Sequence, residues 1–172
     1  GRRGIVDATR ITATTSLAAG GDITLAATIY HRSQGAASGF WCVGTFGSGT
    51  PLDELCMLGF TSNSAIFYGT IAGLQAFYHT VGTWDTARAH RLVGVWTSAG
   101  GTLYVDGSSV ISSGTSVAGR AAHTNLSLFG GTGDPGGFTP TTCVLSDVQV
   151  WNSARTAAQI AEEWALIQGG MI

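Results

Sequence analysis

His90–Val110, HRLVGVWTSAGGTLYVDGSSV, decides the fold. It reads as two hairpins in a row. Arg91–Thr97 is apolar on both parities, with Val93 and Val95 on one and Leu92 and Trp96 on the other. A strand of that kind is covered on both faces, so it is expected in mid-sheet. Ser98-Ala99-Gly100-Gly101 is expected to turn the chain, because glycine accepts positive φ without steric cost. Thr102–Val105 returns. Asp106-Gly107 is the strongest short hairpin signal in the chain, and Ser108–Ser112 follows it.

Working outward, the preceding segments predict further short strands. Gly4–Ala13 is the first. Asp22–Tyr30 alternates cleanly and predicts a half-buried strand, with Ile23, Leu25, Ala27 and Ile29 on one face and Thr24, Ala26, Thr28 and Tyr30 on the other. Gly39–Phe46, Glu54–Phe60, Ala65–Ile71 and Leu74–His79 follow. After the central hairpins, Ser113–Thr124 reads as a polar loop and Leu126–Phe129 as a strand. Gly130–Pro140 reads as a glycine-rich loop and Thr142–Trp151 as a closing strand. Regular strand and turn spacing predicts an all-β, two-sheet antiparallel jelly-roll sandwich.

One short C-terminal helix completes it. Thr156 and Gln159 fit a capping box, each side chain meeting an otherwise unpaired backbone N–H. Ile160, Trp164 and Ile167 form one stripe, Glu162 and Glu163 are expected to point away, and Gly169-Gly170 ends the helix.

The 172 residues predict a single domain, 1–172, with residues 1–4 as a flexible arm. Charged residues make up 10% and lysine is absent, against about 25% charge in an ordinary domain. The net charge of −2 argues against nucleic-acid binding, which needs a basic face. No apolar run reaches the length of a helical membrane span. GRRGIVDATR lacks the apolar core of a secretory signal. A surface so poor in charge has little self-repulsion, which suits a homo-oligomer or contact with capsid or fibre neighbours, the other reading being a soluble monomer with a neutral polar surface. Arg2 and Arg3 form a basic arm, read either as a frayed terminus or as an assembly tether. Cys42, Cys56 and Cys143 show no disulfide or zinc spacing; Cys42 and Cys56 could face each other across a hairpin.

His90, the glycine-rich turn and Leu103-Tyr104-Val105-Asp106-Gly107 resemble the laminin-G/pentraxin branch of the concanavalin A-like lectin/glucanase fold. Leu145–Asn152 resembles its closing strand. Arg155-Thr156 and Gln159-Ile160 stand where that family has a short helix, and Asn125–Gly131 resembles its strand ending in glycine. Cys143 departs from the family, which usually has glycine four residues before the Asp.

That resemblance implies a set of functions to weigh. The glycosidases of the fold carry a Glu-x-Asp-x-x-Glu run, with two carboxylates flanking the scissile bond. No such run is present, Gly-x-Ser-x-Gly is absent, and the four histidines lack metal-ligand spacing, so no enzyme is expected. His90 matches a structural position. Calcium, the family's usual ion, has a candidate ligand in Asp134, with Asn125, Asp147 or Asn152 as partners; the same loop also reads as a plain turn. No other cofactor is expected. A glycan-binding rim has Trp84, Asp85, Asp134, Phe138 and Tyr78 as its pieces, each also a candidate for core packing or a turn.

Two functions remain open, with a glycoside hydrolase dependent on Glu54 as a remote third. One is a non-catalytic structural module on a virion surface, such as a phage head-decoration or fibre domain. The other is an extracellular, lectin-like module for host-surface glycans.

Overall fold

The computed structural model describes residues 11–17, 20–31, 42–46, 54–61, 64–68, 70–71, 74–75, 85, 87–114, 123–128 and 143–170. The strands are β1 (Ile11–Leu17), β2 (Ile23–His31), β3 (Cys42–Phe46), β4 (Glu54–Thr61), β5 (Ser64–Tyr68), β6 (Thr70–Ile71), β7 (Leu74–Gln75), β8 (His90–Thr97), β9 (Gly100–Val105), β10 (Ser108–Ser113), β11 (His123–Leu128) and β12 (Cys143–Trp151). The helix α1 spans Ala157–Gln168.

Among the described residues these strands form two five-stranded antiparallel sheets, ordered β1-β11-β3-β4-β5 and β10-β9-β8-β2-β12, and a small β6-β7 pair. The all-β sandwich with one C-terminal helix is therefore observed. As its apolar pattern requires, β8 lies in the middle of the second sheet, between β9 and β2. Its even-numbered face and the odd-numbered face of β2 together carry Ile23, Leu25, Leu92 and Trp96, all at most 1% exposed. Strands β2 and β8 lie against β3 and β4 of the opposite sheet. The other face of the same strands meets α1, where Ala26, Val93 and Val95 pack around Ile160. Burying one isoleucine in this way contributes about 1.5–3 kcal/mol.

The helix begins as its sequence dictates. The Thr156 side chain accepts from the Gln159 backbone N–H, and the Gln159 side chain accepts from the Thr156 N–H. Gly169 caps the C-terminus and Gly170, at φ 69°, turns the chain out of it.

Several sequence expectations are corrected. β2 is not half-buried, because Thr24 and Thr28 lie beneath the helix side as fully as the apolar residues between them (0% and 8% exposed). Alternation alone cannot register a helix that arrives from 130 residues downstream. Glu163 does not point away: it pairs with Arg91, as described below. The turn after β8 is Ser98-Ala99 alone, and Gly100 and Gly101 already pair with Thr97 and Trp96. A side chain at Gly100 would place its Cβ 2.1 Å from the Ser113 carbonyl oxygen, so the close approach of β10 requires glycine there. β11 begins at His123, inside the expected loop. The predicted Ala65–Ile71 strand is split into β5 and β6, the latter hydrogen-bonded to β7 rather than to β4. Cys42 stands opposite Gly59 and Cys56 opposite Thr45, three ladder positions apart, so the two are not cross-strand neighbours. Of the expected first strand Gly4–Ala13, residues 4–10 lie outside the described residues.

Candidate functional site

Three constellations occupy the helix-bearing face of the second sheet. The first is centred on Arg91, which β8 carries beside Thr28 of β2. Its side chain is 1% exposed. Nη1 donates to the Asp147 carbonyl at 2.6 Å and to Thr28 Oγ1 at 3.2 Å, and lies 3.0 Å from Asp147 Oδ2. Nη2 donates to Gln149 Oε1 at 3.2 Å and to the Glu163 carboxylate. β12 bulges between Ser146 and Gln149, where Asp147 adopts φ 49°. That left-handed residue places its own carbonyl on the guanidinium. Arg91 is thus a fastening between two strands, a bulge and the helix. A lone charge could not stay buried here without such partners.

The second constellation surrounds the Asp106-Gly107 turn. Asp106 (φ 51°) and Gly107 (φ 79°) both take left-handed backbone, as a tight two-residue hairpin requires. The Asp106 carboxylate accepts from the Arg91 backbone N–H at 2.9 Å, faces His90 Nδ1 at 2.8 Å and pairs with Arg88 Nη2 at 2.8 Å. His90 Nε2 faces the Asp85 carbonyl at 2.8 Å. Burial raises the Asp106 carboxyl's pKa, but the His90 hydrogen bond, the Arg91 N–H and the nearby charges of His90 and Arg88 outweigh it. The net effect is a pKa below the ordinary 3.8. Against Gly107 lies Trp164, whose side chain a Cβ on that glycine would meet at 3.1 Å.

The third is a groove enclosing about 370 Å³ between the β8–β9 hairpin and the start of α1. Thr97, Thr102, Tyr104, Ser112, Arg155 and Thr156 line it. The Thr102 and Ser112 hydroxyls lie 3.0 Å apart. Thr97 Oγ1 donates to the Gly100 carbonyl at 3.0 Å. Behind the groove's lining, the buried Thr24 Oγ1 donates to the Ser153 carbonyl at 2.8 Å and accepts the Arg155 N–H at 3.0 Å. The Arg155 guanidinium lies 5.0 Å from the Trp151 ring centre, within cation–π range. Hydroxyls, an aromatic ring and one cation therefore border a single concavity. These are the groups that hydrogen-bond and stack on a polar ligand.

The sequence-predicted site residues are placed differently. Asp85 is exposed, but its carboxylate accepts the Ala87 N–H at 2.8 Å and lies 3.3 Å from Arg88 Nε. Asp147 is held by Arg91, and Gln149 Nε2 donates to its Oδ1 at 2.7 Å. Asn125 belongs to β11, in the opposite sheet from Asp147. Asn152 is exposed just beyond β12. Arg2, Arg3, Tyr78, Trp84, Asp134 and Phe138 lie outside the described residues. Among the described residues no three His, Cys, Asp or Glu side chains gather as a metal cage does. No helix among them is long and apolar enough to cross a membrane.

Sequence reasoning passed over Tyr104, Thr102, Ser112 and Arg155 as ligand candidates. Their common location follows from the register of β8, β9 and β10 and from the return of the chain after β12. The only local signal is Arg155 immediately before the helix cap.

The sequence profile of the concanavalin A-like lectin/glucanases superfamily matches residues 4–161. No curated protein sequence matches. Among solved structures, Trypanosoma rangeli sialidase superimposes with a TM-score of 0.61 at 18% identity, over 87% of this chain and 23% of that one. The binding domain of botulinum neurotoxin DC, solved in complex with rat synaptotagmin II, gives 0.62 at 7% identity, over 87% of this chain and 36% of that one. The chain thus spans about a quarter to a third of these larger structures, and at such identities the likeness is one of fold.

Proposed function

The chain belongs to the concanavalin A-like lectin/glucanases superfamily, and from that premise we propose that it is a non-catalytic recognition module that holds a saccharide in the groove beside α1. The observation that carries this reading is the grouping of the Thr97, Thr102 and Ser112 hydroxyls with Tyr104 in one concavity. Hydroxyls match a sugar's own hydrogen-bonding groups, and an aromatic ring matches its apolar face. The non-catalytic part draws support from the carboxylates. Glycoside hydrolysis takes two, one of them free to act as acid. Asp106, Asp147 and Glu163 are each engaged by an arginine.

A glycan array tests it, run with the wild type, Tyr104→Ala and a Thr102→Val/Ser112→Ala pair. Binding of a defined saccharide that falls at least about tenfold in both variants is the expected result. Absence of any saccharide binding, or binding indifferent to both variants, overturns it. Turnover of any member of a polysaccharide panel overturns the non-catalytic part.

A second reading is assembly, as a head-decoration or fibre module of a virion. The 10% charge content favours it, since little repulsion keeps copies apart. Size in dilute solution separates the two: a trimer or larger that binds no sugar favours assembly, and a monomer that binds one favours recognition.

A further inference from the structure

Arg155 is the one charged side chain among the described residues that line the groove. Its guanidinium is held in place but weakly used. Trp151 supports it from one side, and Thr24 pins its backbone. The nearest carboxylate oxygen, Glu163 Oε2, is 3.7 Å away, beyond hydrogen-bonding distance, and the other oxygen of that carboxylate serves Arg91. Nε is buried with no hydrogen-bond partner, so the terminal nitrogens are the ones a ligand in the groove can reach. A guanidinium carries five N–H donors in a planar fork. That fork matches the two coplanar oxygens of a carboxylate, and such charge-assisted pairs are about twice as strong as neutral ones.

We propose that the groove selects saccharides bearing a carboxylate, and that Arg155 is the residue that selects them. The uronate oxygens take the guanidinium edge while ring hydroxyls take Thr102 and Ser112. This deepens the saccharide reading above and rests on it.

The test compares each acid with its own methyl ester, which keeps the ring and removes the charge. Tetragalacturonate and a hyaluronan tetrasaccharide, with their esters, are titrated calorimetrically into the full chain at low and at physiological salt. At least one acid is expected to bind about tenfold more tightly than its ester. Arg155→Gln should abolish that preference, so that acid and ester bind alike. Arg155→Lys, which keeps the charge and the stem but loses the fork, should retain part of it. Should Arg155→Gln fail to fold, the acid-to-ester ratio in the wild type and in Arg155→Lys still decides. Equal binding of acid and ester, or a full preference surviving in Arg155→Gln, overturns the selection while leaving saccharide binding intact. Binding of neither form overturns this selection, and if neutral sugars also fail on the array the saccharide reading falls with it.

Discussion

Arg91 and Glu163, 72 positions apart in sequence, meet beneath the C-terminal helix, the buried guanidinium donating to a carboxylate that is 11% exposed. The pair sets how α1 sits on the sheet, because one partner is in mid-strand and the other in mid-helix. Ile160 supplies the adhesion, but apolar contact has no preferred direction. The ion pair does, and it fixes rotation of the helix about its axis.

Glu163→Ala strands the Arg91 charge with only the half-exposed Asp147 carboxylate as counter-ion. Removing one partner of a buried pair costs about 3–5 kcal/mol, and Asp147 keeps the loss near the lower end. Arg91→Met is expected to cost less, since Asp147 and Glu163 can turn towards water whereas the guanidinium cannot. Urea unfolding of both variants measures the difference. A Glu163→Ala unfolding free energy within about 0.5 kcal/mol of wild type means that the helix is held by Ile160 and Trp164 alone.

Asp106→Asn separates charge from turn geometry. Asparagine accepts the left-handed backbone at least as readily as aspartate, so the hairpin survives while the pairing with Arg88 and His90 weakens. The expected loss at neutral pH is about 1.5–3 kcal/mol. Because the folded state lowers this carboxyl's pKa below 3.8, its contribution is fully present above the unfolded value. It is lost as the pH falls through the folded one. The gap between wild type and variant should therefore be constant near neutrality and close below about pH 4. A gap that persists unchanged at pH 2 would show that the carboxylate's charge is not what stabilises the corner.

Two glycines should respond differently to alanine. At Gly107 the new Cβ meets the Trp164 side chain at 3.1 Å and the backbone is left-handed (φ 79°). The side chain can yield by a few tenths of an ångström, so the cost is about 1–2 kcal/mol, mostly backbone strain. At Gly100 the Cβ meets a backbone carbonyl at 2.1 Å with φ at 135°. Backbone cannot yield without breaking the β9–β10 ladder, so Gly100→Ala should cost above about 3 kcal/mol. Thermal unfolding ranks the two, and equal losses would contradict the close approach of Ser113.

These contrasts show what the sequence makes legible. The Asp106-Gly107 hairpin, the Thr156–Gln159 cap and the mid-sheet place of β8 are all local, because each depends on residues within a few positions of one another. The burial of Thr24 and Thr28 is not local. Their alternation with isoleucine and leucine reads as a solvent face, and only the returning helix turns that face inward. Glu163 misleads for the same reason: a carboxylate beside Glu162 on a helix looks solvated until Arg91 is known to lie beneath it. An arginine within an otherwise apolar central strand was the available hint, since a charge there must find a partner. The groove was least legible, because three strands and the connection into α1 all contribute residues to it.

Thr24 ties stability to the groove. Its hydroxyl, 0% exposed, holds both the Ser153 carbonyl and the Arg155 N–H. Thr24→Val keeps the shape and the β-branched preference of the strand but leaves both part-buried backbone groups without that partner. The expected cost is about 2 kcal/mol. Thr24→Ser keeps the hydroxyl and loses one methyl, about 0.8 kcal/mol. Arg155 is positioned through this contact, so Thr24→Val should also weaken carboxylate-saccharide binding by a larger factor than Thr24→Ser, under conditions where both variants remain folded. Titration of the two proteins below their unfolding midpoints reads this directly. Matching affinities would mean that Trp151 alone orients the guanidinium, and that the hydroxyl serves folding without serving the groove.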